Sequence, residues 1–161
     1  MTRIAIIMIC SVLIASSCAG TNKRSAQAVV NTVDNDTSRY AVIPYETAVR
    51  SQLLEGKGPA SLSAAEISEI DGLIKKAVNE HNMVVRGYMH IDSLERYKFQ
   101  LVAFINKKGE KEVWINSFCG KGYGDWQKQI VQVEDGGSCY FNFKINLTLK
   151  TWTQVMVNGI G

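Results

Sequence analysis

The sequence predicts an α+β domain, with one long helix packed on a curved antiparallel sheet of four to six strands. Three observations predict it. A helix start signal at Ser63 opens a stretch of helical apolar spacing. Beyond Asn82 the apolar pattern changes to period two, as in half-buried strands. The strand-like runs are separated by Lys107–Glu110, Gly120–Trp126 and Asp135–Ser138, which are rich in glycine or charge, as antiparallel connections are. A helix followed by a meander is most simply closed as two layers around one core.

Taken in order, Tyr40 to Leu54 reads two ways. Pro44 opens a short helix carrying Ala48, Val49 and Leu53, or the segment is an extended strap. Gly56-Lys57-Gly58-Pro59 then breaks the chain. Ser63-Ala64-Ala65-Glu66 is a capping box, with Leu62 and Ile67 placed as a hydrophobic staple. Ile67, Ile70, Ile74, Ala77, Val78 and His81 follow helical spacing, which predicts a helix from Ala64 to about Asn82. Gly72 costs this helix about 1 kcal/mol against Ala and reads as a close approach to the sheet. Met83–Ile91 is expected to be a strand, turned by Asp92–Glu95. Tyr97–Asn106 and Lys111–Cys119 form the central hairpin, Gln129–Glu134 a short strand, Cys139–Leu149 an alternating strand, and Trp152–Asn158 the last one.

Both faces of the Lys111–Cys119 run are apolar in places. Val113, Ile115 and Cys119 share one face, and Trp114 and Phe118 share the other. The helix covers one face. The other meets a further segment, such as residues 40–54, or forms a binding surface. Trp114, Phe118, Tyr123 and Trp126 are therefore the binding candidates, with Trp126 as a cap on the core the competing reading. The loop Gly120–Asp125 lacks the spacing of a phosphate-binding loop and reads as a plain connection.

The chain of 161 residues has 18 basic and 15 acidic side chains, mixed along its length. No basic stripe with interleaved aromatics occurs, so nucleic acid is not indicated. Nothing in the sequence calls for a cofactor. The four cysteines carry no CxxC spacing and the two histidines no HxxxH spacing, which leaves a metal site unsupported. Cys119 and Cys139 form an even pair, either a disulfide or two buried thiols. An enzyme alternative uses Cys139, after the turn Asp135–Ser138, as a thiol nucleophile with His81 or His90 as base.

The amino-terminal stretch places the protein. Arg3 precedes the apolar run Ile4–Ile14, followed by Ala15-Ser16-Ser17 and Cys18. This is the layout of a secretory signal, and the apolar run falls well short of the ~20 residues that span a bilayer. Ala15–Cys18 resembles a bacterial lipobox, whose cysteine accepts a diacylglyceryl chain and becomes the first residue after cleavage. Ala15 stands where strict lipoboxes prefer Leu, and the Ser-Ser-Cys ending is similar to that of Bacteroidetes lipoproteins. The competing readings are secretion without lipid, cleaved near Ala19, and a buried amino-terminal strand. The resemblance implies a signal peptide over 1–17, lipid at Cys18, a tether over 18–39 and one domain over 40–161. Loss of Arg3 with the signal lowers the net charge from +3 to +2.

The residues after Cys18 lack the acidic run that resembles a surface-export tag in that group. The comparison implies the periplasm-facing leaflet of the outer membrane. The helix-then-meander order resembles cystatin-like or nuclear-transport-factor-like folds, in element order only. The runs Lys107–Cys119, Asp135–Phe143 and Val157-Asn158-Gly159 resemble those of uncharacterised Bacteroidetes envelope lipoproteins. The expected function is therefore a membrane-anchored module that binds an envelope protein or a small ligand. The alternatives are the thiol-dependent hydrolase and a purely structural envelope protein.

Overall fold

The computed structural model describes residues 37–161. The signal, Cys18 and residues 19–36 lie outside the described residues. The described chain holds two α-helices, α1 (Tyr45–Arg50) and α2 (Ala64–Val84). It holds seven strands: β1 (Tyr40–Val42), β2 (Gly58–Pro59), β3 (Lys98–Ile105), β4 (Lys111–Phe118), β5 (Tyr140–Asn146), β6 (Thr151–Trp152) and β7 (Met156–Val157). They form one open mixed sheet in the order β1-β3-β4-β5-β6, with β2 also on β3 and β7 also on β5.

α2 forms as the sequence implies. Ser63 Oγ accepts from Glu66 N at 3.2 Å, and Ser63 N donates to Glu66 Oε2 at 2.8 Å, closing the capping box. Its buried face is Ile70, Leu73, Ile74, Ala77, Val78 and His81. This face packs on the inward side chains of the sheet, among them Phe99, Leu101, Val113, Ile115, Phe141, Phe143 and Ile145. The helix is also tied at its flanks. Lys111 Nζ lies 2.5 Å from Glu66 Oε1, and Asp71 receives the Tyr40 hydroxyl at 2.5 Å and Lys75 Nζ at 2.7 Å. In the β3–β4 hairpin, Asn106 Oδ1 accepts from Lys108 N and Glu110 N, and Gly109 takes φ +91°.

The sheet differs from the expected curved antiparallel sheet of four to six strands. β1 runs parallel to β3, with Tyr40 opposite Phe99. The long excursion through α1, β2 and α2 makes that parallel return feasible. Four of the strands have two or three residues, too short to print a period.

Met83–Ile91 is not a strand. α2 continues to Val84, and the loop behind it is bound back to the helix. Asn82 Nδ2 donates to Ile91 O at 2.7 Å, and Asn82 Oδ1 accepts from Ile91 N at 2.9 Å. Gln129–Glu134 is not a ladder strand either, because side chains rather than a neighbouring backbone hold it (below). The expected last strand is interrupted between β6 and β7, where Thr153 N donates to Lys144 O and Thr153 Oγ1 accepts from Lys144 N.

Gly72 does not approach the sheet. A Cβ there would meet nothing within 4 Å. Gly72→Ala should therefore stabilise the domain by about 1 kcal/mol, read as a higher urea midpoint at unchanged slope. Asp71 gives a second expectation. Burial raises its pKa, but Lys75, the Tyr40 hydroxyl and Arg39 outweigh that and hold it below the usual 3.8. A lowered carboxyl pKa adds stability above the unfolded value, and the gain is lost as pH falls through the folded value. Urea titrations below pH 3.8 should show Asp71→Asn losing less stability with acid than the wild type.

Candidate functional site

The outer face of the sheet, opposite α2, carries the candidate residues. Alternation along the strands puts Gln100 and Val102 of β3, Trp114, Asn116 and Phe118 of β4, and Tyr140 and Asn142 of β5 on this side. Two segments cover it. Residues 41–54 place Ala41, Ile43, Ala48 and Leu54 against Val102, Phe104 and Trp114. The segment after β4 brings Trp126 and Ile130 to the same cluster.

The second apolar face of β4 thus meets residues 40–54. Trp114 is 7% exposed and Phe118 is 1% exposed, so neither forms an open aromatic patch. Tyr123 and Trp126 pack edge-on against Phe118, with ring centroids 5.1 and 5.7 Å away. Lys98 Nζ sits 4.7 Å from the Trp126 ring centroid. Trp126 is therefore a half-buried cap. The Tyr123 and Tyr140 hydroxyls bond each other, and that bond, together with burial, pushes the Tyr140 pKa up to about 12.

Cys119 and Cys139 are bonded, with Cα atoms 5.0 Å apart. Their twenty-residue separation gives a loop closure worth about 3 kcal/mol in the chain-entropy model. Cys139 presents no free thiol, so the nucleophile of the hydrolase alternative is consumed. The two histidines are engaged elsewhere. His81 Nε2 lies 2.9 Å from Met89 O, and His90 Nδ1 lies 3.7 Å from Asp92. No group of three metal-ligating side chains gathers among the described residues.

The residue that organises this face is Gln100, which is fully buried in the middle of β3. Its Nε2 donates to Trp126 O and Gln129 O at 2.5 and 2.6 Å. Its Oε1 accepts from Asn116 Nδ2 and Val131 N, both at 2.9 Å. All four hydrogen-bonding positions of the amide are filled. Asn116 Nδ2 also donates to Val131 O at 2.8 Å. Two side chains thus replace the ladder partner that segment 129–134 lacks. At the far end of the segment, Asn158 Nδ2 donates to Val133 O. Gln100 and Asn116 were not singled out from the sequence. The available signal was a polar residue inside the otherwise apolar run Phe99–Ile105.

Between this strap and the sheet lies a cleft of about 320 Å³. Trp114, Asn116 and Asn142 line it from the sheet, Leu53 from the α1 side, and Gln132 and Glu134 from the strap. Asn116 Oδ1 and the whole Asn142 carboxamide make no hydrogen bond to the described residues. The cleft therefore offers two acceptors and a donor pair beside an indole edge. It holds no strong acid or base pair suited to proton transfer.

Removing the Gln100 amide would strand two strap carbonyls and one N–H in a closed layer. Each such group costs about 1–3 kcal/mol. Gln100→Ala, and the volume-preserving Gln100→Leu, should each lose about 3 kcal/mol or more of stability. Amide exchange should rise first in residues 126–134. A loss under about 1 kcal/mol with unchanged exchange would refute the clamp. Comparison of the chain with protein-family models, with curated proteins and with solved structures gives no match, so the site is read from its own chemistry.

Proposed function

We propose that the chain is a lipid-anchored protein of the cell envelope, facing the periplasm. Its domain is a non-catalytic binding module, and its ligand seat is the cleft between the 129–134 strap and the outer face of β4–β5. The leader and Cys18 support the anchoring. The disulfide suits an oxidising compartment.

One observation carries the binding part. Gln100 is spent on the strap and on Asn116, and Asn116 is half spent, yet the Asn142 carboxamide beside them bonds none of the described residues. An amide kept unpaired in a cleft is suited to a ligand that brings its own donor and acceptor, such as a polar small molecule or an extended piece of a protein. The walls carry Glu134 and no cation, which disfavours an anionic ligand.

Two measurements test the reading. Mass spectrometry of the processed protein should find Cys18 acylated as its first residue, and an unmodified amino terminus would remove the anchor. Immobilised protein should then retain a ligand from envelope extract in stoichiometric amount. Asn142→Leu should abolish retention with little change in melting temperature. Equal retention by the two proteins, or none by either, would reject the cleft as the seat.

A further inference from the structure

Four of the exposed large apolar side chains gather at the end of the domain where α2 stops. Met83 is 73% exposed, Val84 81%, Tyr88 53% and Ile160 64%. They converge from three parts of the chain. Met83 and Val84 form the last turn of α2, and Tyr88 lies in the loop behind it. Ile160 joins them over Gly137, where an added Cβ would lie 3.2 Å from Ile160 Cγ2 and 4.0 Å from Tyr88 Cβ. An apolar groove of about 330 Å³ continues from Val84 and Met89 to Trp152 and Val155.

The polar backbone that ends a helix is silenced here. The last carbonyls of a helix ordinarily need water. Arg86 Nη1 instead donates to Asn82 O, Met83 O and Val85 O at 3.3, 3.3 and 2.6 Å. Arg86, the charged side chain within residues 83–89, is thereby committed to the helix end. The tip is built for apolar contact rather than for electrostatic capture.

The chain also enters the domain at this end. Arg39 Nη1 donates to Leu94 O at 2.5 Å. β1 runs parallel to β3, so Tyr40, beside Phe99, starts where β3 starts. Tyr97 Oη donates to Ser138 O, which brings the start of β3 to the same end as the turn at Gly137 under Tyr88 and Ile160. Eighteen residues separate Cys18 from Thr37. Their extended reach is on the order of 60 Å, so tether length does not select which face meets a bilayer. The surface itself must do so.

We propose that this end is a lipid-contacting surface, seated against the bilayer that holds Cys18. The proposal rests on the anchoring reading above. A few apolar side chains at an interface bind weakly alone. Beside an acyl anchor the encounter is effectively intramolecular, so the same weak contact sets orientation. The ligand cleft on the outer face of the sheet then stays open to the aqueous side.

The test uses the processed full-length protein on vesicles of phosphatidylethanolamine and phosphatidylglycerol that contain a photoactivatable lipid. Flotation reports anchoring, and peptide mapping of the lipid cross-links reports orientation. Cross-links should concentrate on residues 83–90 and 159–161, about five-fold or more above peptides holding Leu149 and Met156, as expected for interfacial side chains. Met83→Asp with Tyr88→Asp should even out that pattern without releasing the protein. Failure of the wild type to float overturns the anchoring and this orientation together. Flotation with evenly spread cross-links, or with cross-links on the Leu149 side, overturns the orientation alone. Protein–protein cross-links joining residues 83–90 of two copies would assign the tip to a dimer and overturn it too.

Discussion

One fully satisfied amide in the middle of the sheet decides what the outer face becomes. Gln100 sits on β3 with no exposure and fills all four of its hydrogen-bonding positions. Burying an amide is tolerable only under that condition. The partners are backbone groups of Trp126, Gln129 and Val131 together with the Asn116 side chain, so the cost of burial is offset only when the strap is in place. The strap in turn carries Trp126 and Ile130 onto Trp114 and Val102. Polar satisfaction and apolar cover therefore form together.

The same constraint explains the two-sided core. β3, β4 and β5 are the only long strands among the described residues, and β3 and β4 are apolar on both faces. A sheet of this kind needs a cover on each side. α2 supplies the inner cover through a stripe of six buried residues. The outer cover is assembled from α1, its flanking segments and the strap. It is bracketed by the Cys119–Cys139 bond, with Cys119 N donating to Cys139 O at 3.0 Å. The outer cover is incomplete, and the cleft beside Asn142 is where it stops.

Function is read from that incompleteness. Trp114 and Phe118, which alternation marks as outward, are taken up by packing, while the less conspicuous Asn142 is left with an unspent carboxamide. Aromatic side chains carry the largest apolar area and are the first to be covered. A carboxamide can remain at the margin because water can satisfy it there. The bond between Cys119 and Cys139 leaves Cys139 without a free thiol on this face.

The sequence by itself determined the parts that local rules control. The capping box at Ser63, the buried stripe of α2, the Asn106–Gly109 hairpin and the alternation of β5 are encoded within a few residues of where they act. It also showed that β4 is apolar on both faces, with the second face either covered by a further segment or open as a binding surface. Only the tertiary structure decided the rest. The parallel β1, the side-chain-held strap, the clamp at Gln100 and the tip shared by Met83, Tyr88 and Ile160 join residues far apart in the chain. Periodicity reports which face of an element is apolar. It carries no record of which distant backbone will satisfy a buried amide.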